Sequence, residues 1–400
     1  MAVLGCLGRG RVTLLTALGA ALASMTVLSP AATASTVGAG TRPSAVVVNA
    51  ETYNLDLGAD LTPLFGAQDI PSLTAAAAQV YADVQASLPA ERMRAIAAII
   101  ARQRPDAVGL QEVATWALAP YVMDGPYPRV TGPYQTTYDF LALLLGDLAR
   151  LKTPYVAVST NTNFDSGVIP VAIPISATMA ARYTDRNVIL VSKAMLRHTS
   201  VTNPEQANYQ AKFSVNLLGL TVPVNRGWAS IDVTEHRQTF RFFDTHLEAY
   251  GLPPLKDQIR NPQAAELASL ATASPYPVML VGDINARPAM CATWRQPPDP
   301  QDANTVAYAT LNAAGLSEVW PLVHPKAPCS PSSWTSGQDS LTGQVSTLSH
   351  RIDDIFLSAS FTALQTAVVG DTAAERSRPH GLWPSDHAST VARVRLKAAH

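Results

Sequence analysis

The sequence carries little charge and almost no excess of either sign. Only 15% of its 400 residues are Asp, Glu, Lys or Arg, and the formal net charge at pH 7 is −1. These values exclude the overall basic field that attracts nucleic acid or anionic membranes, although bound metal ions can supply positive charge locally. The hydrophobic fraction of 47% excludes a disordered chain and indicates a globular protein with a large core.

Internal repeats, long runs of like charge and convincing linkers are also missing. A chain of 400 residues is long enough for one large or two ordinary domains. Because no linker divides it, we predict a single domain.

Long apolar runs are missing except at the N-terminus. Arg9 and Arg11 precede the run VTLLTALGAALASMTVL, and Pro30 and the small residues AATAS follow it. This order is typical of a secretory signal peptide, so we predict that residues 1–34 are removed by cleavage after Ala34 and that the mature protein is secreted. An uncleaved membrane anchor is the alternative, because the run is just long enough to span a bilayer.

Cysteine is scarce. Cys6 lies ahead of the apolar run in the predicted signal peptide, which leaves Cys291 and Cys329 in the mature chain. In an oxidising compartment an isolated pair of cysteines is expected to form a disulfide. Two unpaired thiols are the alternative, since the sequence cannot show that the two residues are close.

Apolar patterns predict helices and strands in mixed order. Pro89 fits a first helical turn, an apolar stripe follows it, and Pro105 ends this helix. Further helices are predicted at YDFLALLLGDLARL, QIRNPQAAELASLA and NTVAYATLNAAGL, where Gly315 marks the end of the last. Strands are predicted at SAVVV with the start of ETYNLDLGADL, and at AVGLQEV, RNVILVSK, GWASIDVT, TFRFFDTHLEA, PVMLVGD, RIDDIFLS and STVARVRL.

Two longer-range features follow from these elements. GWASIDVT and TFRFFDTHLEA form a predicted hairpin around residues 235–238. Residues 116–182 are hydrophobic, aromatic and proline-rich, and we predict that they form an insertion capping another part of the protein, with GVIPVAIPIS as an irregular loop. Strands come mostly in adjacent runs with helices between some of them, which predicts a mixed α/β sandwich.

Acidic and amide side chains recur at the ends of the apolar strands. In PVMLVGDINARP, Asp283 and Asn285 lie two residues apart and point the same way along an extended chain. Similar groups follow other strands: Asn54 with Asp56, Glu112, Asp353 and Asp386, with His246 and His387 beside them. Oxygen ligands without a Cys/His cluster favour a hard cation such as Mg²⁺ or Mn²⁺ and not zinc.

The order of these motifs resembles that of a known group of enzymes. TYNLDLGADL, LQEV, DTHLEA, VGDINARP, RIDDIFLS and SDH occur in the order seen in the endonuclease/exonuclease/phosphatase superfamily, from Val46 to Leu396. That superfamily includes pancreatic deoxyribonuclease, apurinic endonucleases, neutral sphingomyelinases and inositol polyphosphate phosphatases. The resemblance implies a four-layer αββα sandwich, two mixed sheets flanked by helices, with the site at one end of the paired sheets.

The resemblance also implies a set of metal ligands. Glu112 is similar to the principal metal-binding glutamate of the LQE motif. Asn54 resembles the amide that orients this carboxylate or the phosphate, and Asp386 resembles a further carboxylate near the metal. Mg²⁺ is the expected cofactor, and Mn²⁺ is the alternative.

The remaining motif residues resemble the groups that act on the phosphate and on water. His387 is similar to a histidine that contacts the scissile phosphate, held by the carboxylate that matches Asp353. Asp283 resembles the residue that aligns and deprotonates water, with Asn285 fixing the nucleophile or a phosphate oxygen. His246 resembles a second phosphate-contacting histidine, and as cations both imidazoles would neutralise phosphate charge.

Some residues depart from the family pattern. An acid, Asp354, follows Asp353, and because adjacent strand residues face opposite ways only one can enter the site; we predict Asp353. Asp56 is either a site residue or a turn residue. Arg186 either touches phosphate or forms an ion pair, and we favour the ion pair. Histidines without a motif are expected to be ordinary surface or loop residues: His198, His236, His324 and His350.

These patterns predict a secreted, Mg²⁺-dependent hydrolase of phosphoric esters that acts as a monomer without a stable protein partner. The absence of a basic stripe and the apolar 116–182 segment favour a small or lipid-type phosphodiester as substrate. A secreted nuclease is the first alternative. A non-catalytic binding protein on the same scaffold would require the loss of a motif residue, and none is missing.

Overall fold

The computed structural model describes residues 45–249, 255–291, 305–338 and 340–397, which belong to one compact unit, Pro43–His400. The predicted signal peptide, residues 1–34, lies outside the described residues. Within the described ranges, no helix is both long and apolar enough to cross a membrane.

Strands outnumber helices in the described part of the chain. The strands are β1 (Val46–Asn54), β2 (Ala107–Gln111), β3 (Thr115–Val122), β4 (Arg129–Val130), β5 (Gln135–Asp139), β6 (Tyr155–Asp165), β7 (Ile173–Pro174), β8 (Met179–Ser192), β9 (Ser200–Asn208), β10 (Phe213–Leu217), β11 (Leu220–Val224), β12 (Gly227–Glu235), β13 (Gln238–His246), β14 (Val278–Asp283), β15 (Leu316–Glu318), β16 (Asp353–Ser358), β17 (Phe361–Val369) and β18 (Ser389–Leu396). The helices are α1 (Thr62–Phe65), α2 (Ile70–Ala86), α3 (Pro89–Gln103), α4 (Phe140–Arg150), α5 (Leu255–Ala273), α6 (Val306–Ala313) and α7 (Val319–Val323).

The strands of the described residues form two large mixed sheets and a separate hairpin. The first sheet has the order β17-β18-β1-β2-β8-β3-β4, with β5 paired to β3 and with β6 and β7 paired to β8. The second has the order β15-β16-β14-β13-β12-β9, and β10 pairs only with β11. The first sheet contains the parallel pair β1 and β2, and the second contains the parallel pair β13 and β14. Antiparallel strands flank each pair.

The two sheets pack face to face through alternating apolar residues. Val48 of β1 and Ile189 of β8 belong to the same buried cluster as Ile231 of β12, Val281 of β14 and Ile355 of β16. Because side chains alternate along a strand, the opposite faces remain to be covered by helices.

Helices cover both outer faces. Val80 of α2, Ile96 of α3 and Leu144 of α4 are buried against the first sheet, and Leu267 of α5 and Leu311 of α6 are buried against the second. The chain is therefore the four-layer αββα sandwich that the motif order predicted.

Local signals in the sequence explain several boundaries. Helix α3 begins at Pro89 and ends before Arg104, whose φ is 51°, just ahead of Pro105. Helix α6 is followed by Gly315 with a φ of 84°, a left-handed conformation that glycine adopts without strain. The predicted β12–β13 hairpin is confirmed, with a two-residue turn at His236 and Arg237, both of positive φ.

The structure adds features that the patterns did not indicate. Helix α2 and the β10–β11 hairpin were not predicted. Residues 116–182, predicted to form a capping insertion, contribute β3 to β7 and α4, and these strands pair within the first sheet. Within GVIPVAIPIS, Ile173–Pro174 forms the short strand β7.

The predicted disulfide is present. Cys291 and Cys329 are bonded; they are 38 positions apart in sequence, and their Cα atoms are 5.3 Å apart. The bond links the segment that follows β14 to the segment that precedes β16.

Candidate active site

Sheet register brings the polar strand ends together at one end of the sandwich. β13 and β14 are parallel, which pairs His246 with Asp283 at their carboxyl ends. β14 and β16 are antiparallel, which pairs Asp283 with Asp353 at the start of β16. In the other sheet, the parallel pair β1 and β2 places Asn54 beside the end of β2, directly before Glu112.

Asn54 bridges the two sheets at this end. Its amide Nδ2 donates to Glu112 Oε1 over 3.2 Å and to Asp283 Oδ2 over 3.1 Å. Its Oδ1 accepts from the backbone N–H of Asp56 at 3.0 Å, which fixes the orientation of the amide. One buried side chain therefore couples the predicted metal ligand to the predicted water-activating carboxylate.

Glu112 is held in position but its charge is poorly compensated. Its backbone has a φ of 52°, and its Oε2 accepts from the backbone N–H of Leu57 at 2.8 Å. Burial raises the pKa of the Glu112 carboxyl to about 8, and the carboxylates of Asp386 and Asp185 add to this rise.

Asp386 is a second acid of the site whose pKa is raised. Burial raises the pKa of Asp386 to about 6, and Asp56 raises it further. Its side chain is nevertheless 46% exposed, so this carboxylate faces the open side of the site. A divalent cation bound between Glu112 and Asp386 would favour the ionised form of both, and oxygen donors suit Mg²⁺. The residues present fit the implied metal.

His387 and Asp353 form the predicted pair. His387 Nδ1 lies 2.8 Å from Asp353 Oδ2 and 4.0 Å from Asp283 Oδ2. Burial alone would lower the pKa of His387, but the carboxylates, Asp353 first, outweigh it and raise the pKa well above its ordinary value. The imidazole is thus a cation whose Nδ1–H is committed to Asp353, and its Nε2–H is directed away from that bond.

Asp283 lies at the centre of the cluster. Burial raises the pKa of this carboxyl to about 6, and Asp353 adds to the rise. Its Oδ1 accepts from the backbone N–H of Asn285 at 2.9 Å, and Asn285 Nδ2 donates to Leu247 O at 2.9 Å. Gly282 is required here, because a Cβ atom would lie 2.2 Å from Thr245 O.

His246 differs from the sequence expectation in its charge. Arg226 Nη1 lies 3.1 Å from His246 Nδ1, and because a guanidinium can only donate, this ring nitrogen accepts. Burial lowers the pKa of His246 well below its ordinary value, and Arg226 lowers it further. The imidazole is neutral, with its proton on Nε2, 3.5 Å from Asp283 Oδ2. The prediction of two imidazolium groups was therefore wrong for His246.

Arg226 is the site residue that the sequence did not reveal. It is only 5% exposed and lies 3.6 Å from Asp185 and 3.5 Å from Glu248. No strand-end acid or motif marks it. The only available signal was the β12–β13 hairpin, because the register pairs its neighbour Gly227 with His246.

The residues whose roles the sequence left open form ion pairs and hydrogen bonds that stabilise the fold. Asp354 faces away from His387 and lies 3.3 Å from Arg351, which also binds Glu318. Arg186 forms an ion pair with Asp139 at 2.9 Å, as favoured. The other ambiguous residue, Asp56, is buried with a φ of 56°, accepts from the N–H of Gly58 at 2.7 Å and lies 3.5 Å from Arg92.

Four histidines that were expected to be ordinary surface or loop residues have ordinary environments. His198 and His236 lie near Glu235, His350 contacts Ser349, and His324 stacks on Trp320.

Two groups of residues could hold a cation. Ligand atoms of Asp283, Asp353 and His387 all lie within 4.8 Å of one another. However, His387 is protonated and bonded to Asp353, so it cannot offer a lone pair without losing that proton. The other group is the predicted set of ligands, Glu112, Asp386 and Asn54, which offers oxygen donors without the loss of that proton.

Solved structures of several proteins are similar to this chain. The solved structure of an endonuclease/exonuclease/phosphatase family protein from Leptotrichia buccalis is 14% identical, with a TM-score of 0.50 over 87% of this chain and 99% of that one. A family protein from Bacteroides thetaiotaomicron is 15% identical, with a TM-score of 0.49 over 88% and 99% of the two chains. D. rerio TDP2 with a single-strand DNA product is 16% identical, with a TM-score of 0.48 over 87% and 98%.

No curated protein matches the chain. In contrast, the profile of the Endonuclease/Exonuclease/phosphatase family matches residues 52–387, which include every site residue described above. The chain therefore belongs to the Endonuclease/Exonuclease/phosphatase family and, as a member, is a metal-dependent phosphoester hydrolase.

Proposed function

We propose that the protein is a secreted, Mg²⁺-dependent phosphodiesterase that acts on a small or lipid-type phosphodiester. The observation that carries this proposal is the double hydrogen bond of Asn54 to Glu112 and Asp283, at 3.2 and 3.1 Å. It links a carboxylate suited to Mg²⁺ with a carboxylate suited to activating water.

Glu112, Asp386 and Asn54 would hold the metal. When bound, Mg²⁺ supplies a Lewis acid that neutralises charge on the phosphoryl oxygens. The same cation would favour the ionised forms of Glu112 and Asp386, whose pKa values are raised by burial and by neighbouring acids.

The protein's own residues divide the remaining work. Asp283, with a pKa of about 6, is poised to accept a proton from water near neutral pH. His246 is a neutral donor whose single N–H, on Nε2, can donate to a phosphate oxygen beside Asp283. His387 carries the positive charge that the transition state needs, and Asp353 keeps it protonated.

The charge distribution supports a substrate with one phosphodiester over a polymer with many. The net charge of the chain is −1. Arg226, the buried guanidinium nearest to the site, already faces Asp185 and Glu248. A nucleic-acid enzyme that holds several phosphates usually supplies a row of basic side chains. Secretion is supported by the apolar N-terminal run and by the Cys291–Cys329 disulfide.

A substrate panel at two salt concentrations tests this proposal. Plasmid DNA, RNA, sphingomyelin, glycerophosphodiesters and inositol phosphates are compared at equal Mg²⁺ with the wild type and with Asp283→Asn. We expect hydrolysis of the non-nucleic diesters, weak dependence on salt, and loss of on the order of 10²-fold or more in the variant. Rapid plasmid degradation that collapses at high salt would instead assign a nuclease.

A further inference from the structure

An apolar cavity opens beside the proposed phosphate site. It encloses about 910 Å³ of space outside protein atoms, part of which is continuous with bulk solvent. Its walls come from α1, α2, the segment between β6 and β8, and the β10–β11 hairpin. The cavity is concave and its walls are mostly apolar, as in small-molecule binding sites.

The lining is apolar except near the site. Leu64, Leu73 and Val80 line it from one side, and Phe164, Val215 and Val222 line it from the other. Asp185 and Arg226 also line the cavity, and Arg226 contacts His246. The polar end of the cavity therefore adjoins the residues that would act on the phosphate.

Leu57 joins the cavity to the metal side of the site. Its side chain lines the cavity, while its backbone N–H donates to Glu112 Oε2 at 2.8 Å. Its carbonyl accepts from the indole N–H of Trp116, which also lines the cavity, at 3.1 Å. A substrate with its phosphate near Glu112 would have its esterified group within reach of the cavity.

The lining determines which chemical group fits. Water in an apolar cavity lacks hydrogen-bond partners, and the edge of a nucleobase would leave its polar groups without partners here. A hydrocarbon chain gains free energy from every methylene it buries. We propose that the cavity binds the hydrocarbon chain of a phosphoester substrate; this proposal rests on the proposed function and narrows its substrate class to alkyl or acyl phosphodiesters.

Chain-length dependence of binding tests the proposal without relying on turnover. Octylphosphonate and methylphosphonate are titrated into the full protein in Mg²⁺ by calorimetry. We expect octylphosphonate to bind at least about 100-fold tighter, since each buried methylene adds up to about fourfold. Equal affinity for the two probes would overturn the proposal.

Substitutions on two sides of the cavity test where the hydrocarbon chain of the probe binds. Val215 is half-buried on β10 and lines the cavity, so Val215→Trp should fill it and remove most of the chain-length dependence while methylphosphonate binding is unchanged. Ser214→Trp is the matched control, because Ser214 is exposed on the opposite face of β10. Ala181→Phe fills the cavity from β8 and should act like Val215→Trp. Thermal unfolding verifies that both variants are folded. If both folded variants still prefer octylphosphonate to methylphosphonate as strongly as the wild type does, the hydrocarbon chain does not bind in this cavity.

These results separate the two proposals. If affinity rises with the length of the hydrocarbon chain but no Mg²⁺-dependent hydrolysis is found, the proposed function is overturned and the cavity assignment stays in place. Hydrolysis of phosphodiesters without any chain-length dependence of binding would overturn the cavity assignment alone.

Discussion

The guanidinium of Arg226 donates to Nδ1 of His246 over 3.1 Å and thereby fixes the tautomer of this histidine. The proton must then reside on Nε2, which faces Asp283 Oδ2 at 3.5 Å. The second histidine of the site, His387, is a cation paired with Asp353. Two imidazoles in one site thus have different protonation states because one faces a guanidinium and the other a carboxylate.

This assignment predicts the effect of Arg226→Met, which keeps much of the apolar volume and removes the donor. Nitrogen-15 NMR of histidine-labelled protein should show an unprotonated Nδ1 at His246 in the wild type and a mixture of tautomers in the variant. We expect turnover to fall at least tenfold, because a ring protonated on Nδ1 has no N–H to offer to the phosphate beside Asp283. Arg129→Met, at an exposed ion pair, is the control. A protonated Nδ1 in the wild type would show that the tautomer is misassigned.

The two adjacent acids of β16 should respond differently to substitution. Asp353→Asn removes the carboxylate that holds His387 and should lower turnover by on the order of 10²-fold or more. Asp354→Asn removes a buried partner of Arg351 on the opposite face of the strand, so its main effect should be on the free energy of unfolding. Steady-state kinetics and denaturant unfolding of both variants measure this contrast. The reverse ranking of turnover would mean that Asp354 is the residue that acts in the site.

The buried carboxyl of Glu51 should make the free energy of unfolding depend on pH. This effect does not involve the active site. It is fully buried, its Oε1 accepts from Ser389 Oγ at 2.8 Å, and its Oε2 has no partner among the described residues. Burial raises the pKa of Glu51 from 4.5 to about 8. Between these values the folded state binds more protons than the unfolded state, so Glu51 lowers stability as pH rises from 4.5 to about 8.

Glu51→Gln should remove this contribution, because the amide does not titrate. We expect the wild type to lose on the order of a few kcal/mol relative to the variant across this pH range, from about 1.4 kcal/mol per pKa unit. Denaturant unfolding at several pH values measures the difference between the two proteins. Parallel pH profiles would show that Glu51 ionises normally in the folded state.

Residues at strand ends were predictable because local rules place them. Asp283 and Asn285 follow an apolar strand at even spacing. Alternation showed that only one of Asp353 and Asp354 can face the site, and the RID motif of the family favoured Asp353. The motif order then predicted the αββα layers. Fold and motif positions were therefore available from short stretches of sequence.

Arg226, the cavity and the β10–β11 hairpin were not predictable in this way. Arg226 enters the site through the register of a hairpin, and its charge is compensated by Asp185, 41 positions earlier in the sequence. The cavity is built from segments that share no motif, among them α2 and β11, which contact only in the folded chain. The neutral state of His246 likewise depends on burial and on one cross-strand neighbour, neither of which a local pattern contains.

The most direct test of the central claim is a Mg²⁺ titration of the wild type and Glu112→Gln by calorimetry, with phosphodiester hydrolysis measured in the same samples. We predict that hydrolysis is abolished by excess EDTA and restored by Mg²⁺, and that Glu112→Gln weakens Mg²⁺ binding by at least about tenfold. Asp124→Asn, an exposed acid paired with Arg129, should bind Mg²⁺ like the wild type. Full hydrolysis in excess EDTA, or unchanged Mg²⁺ affinity in Glu112→Gln, would contradict a metal site at Glu112.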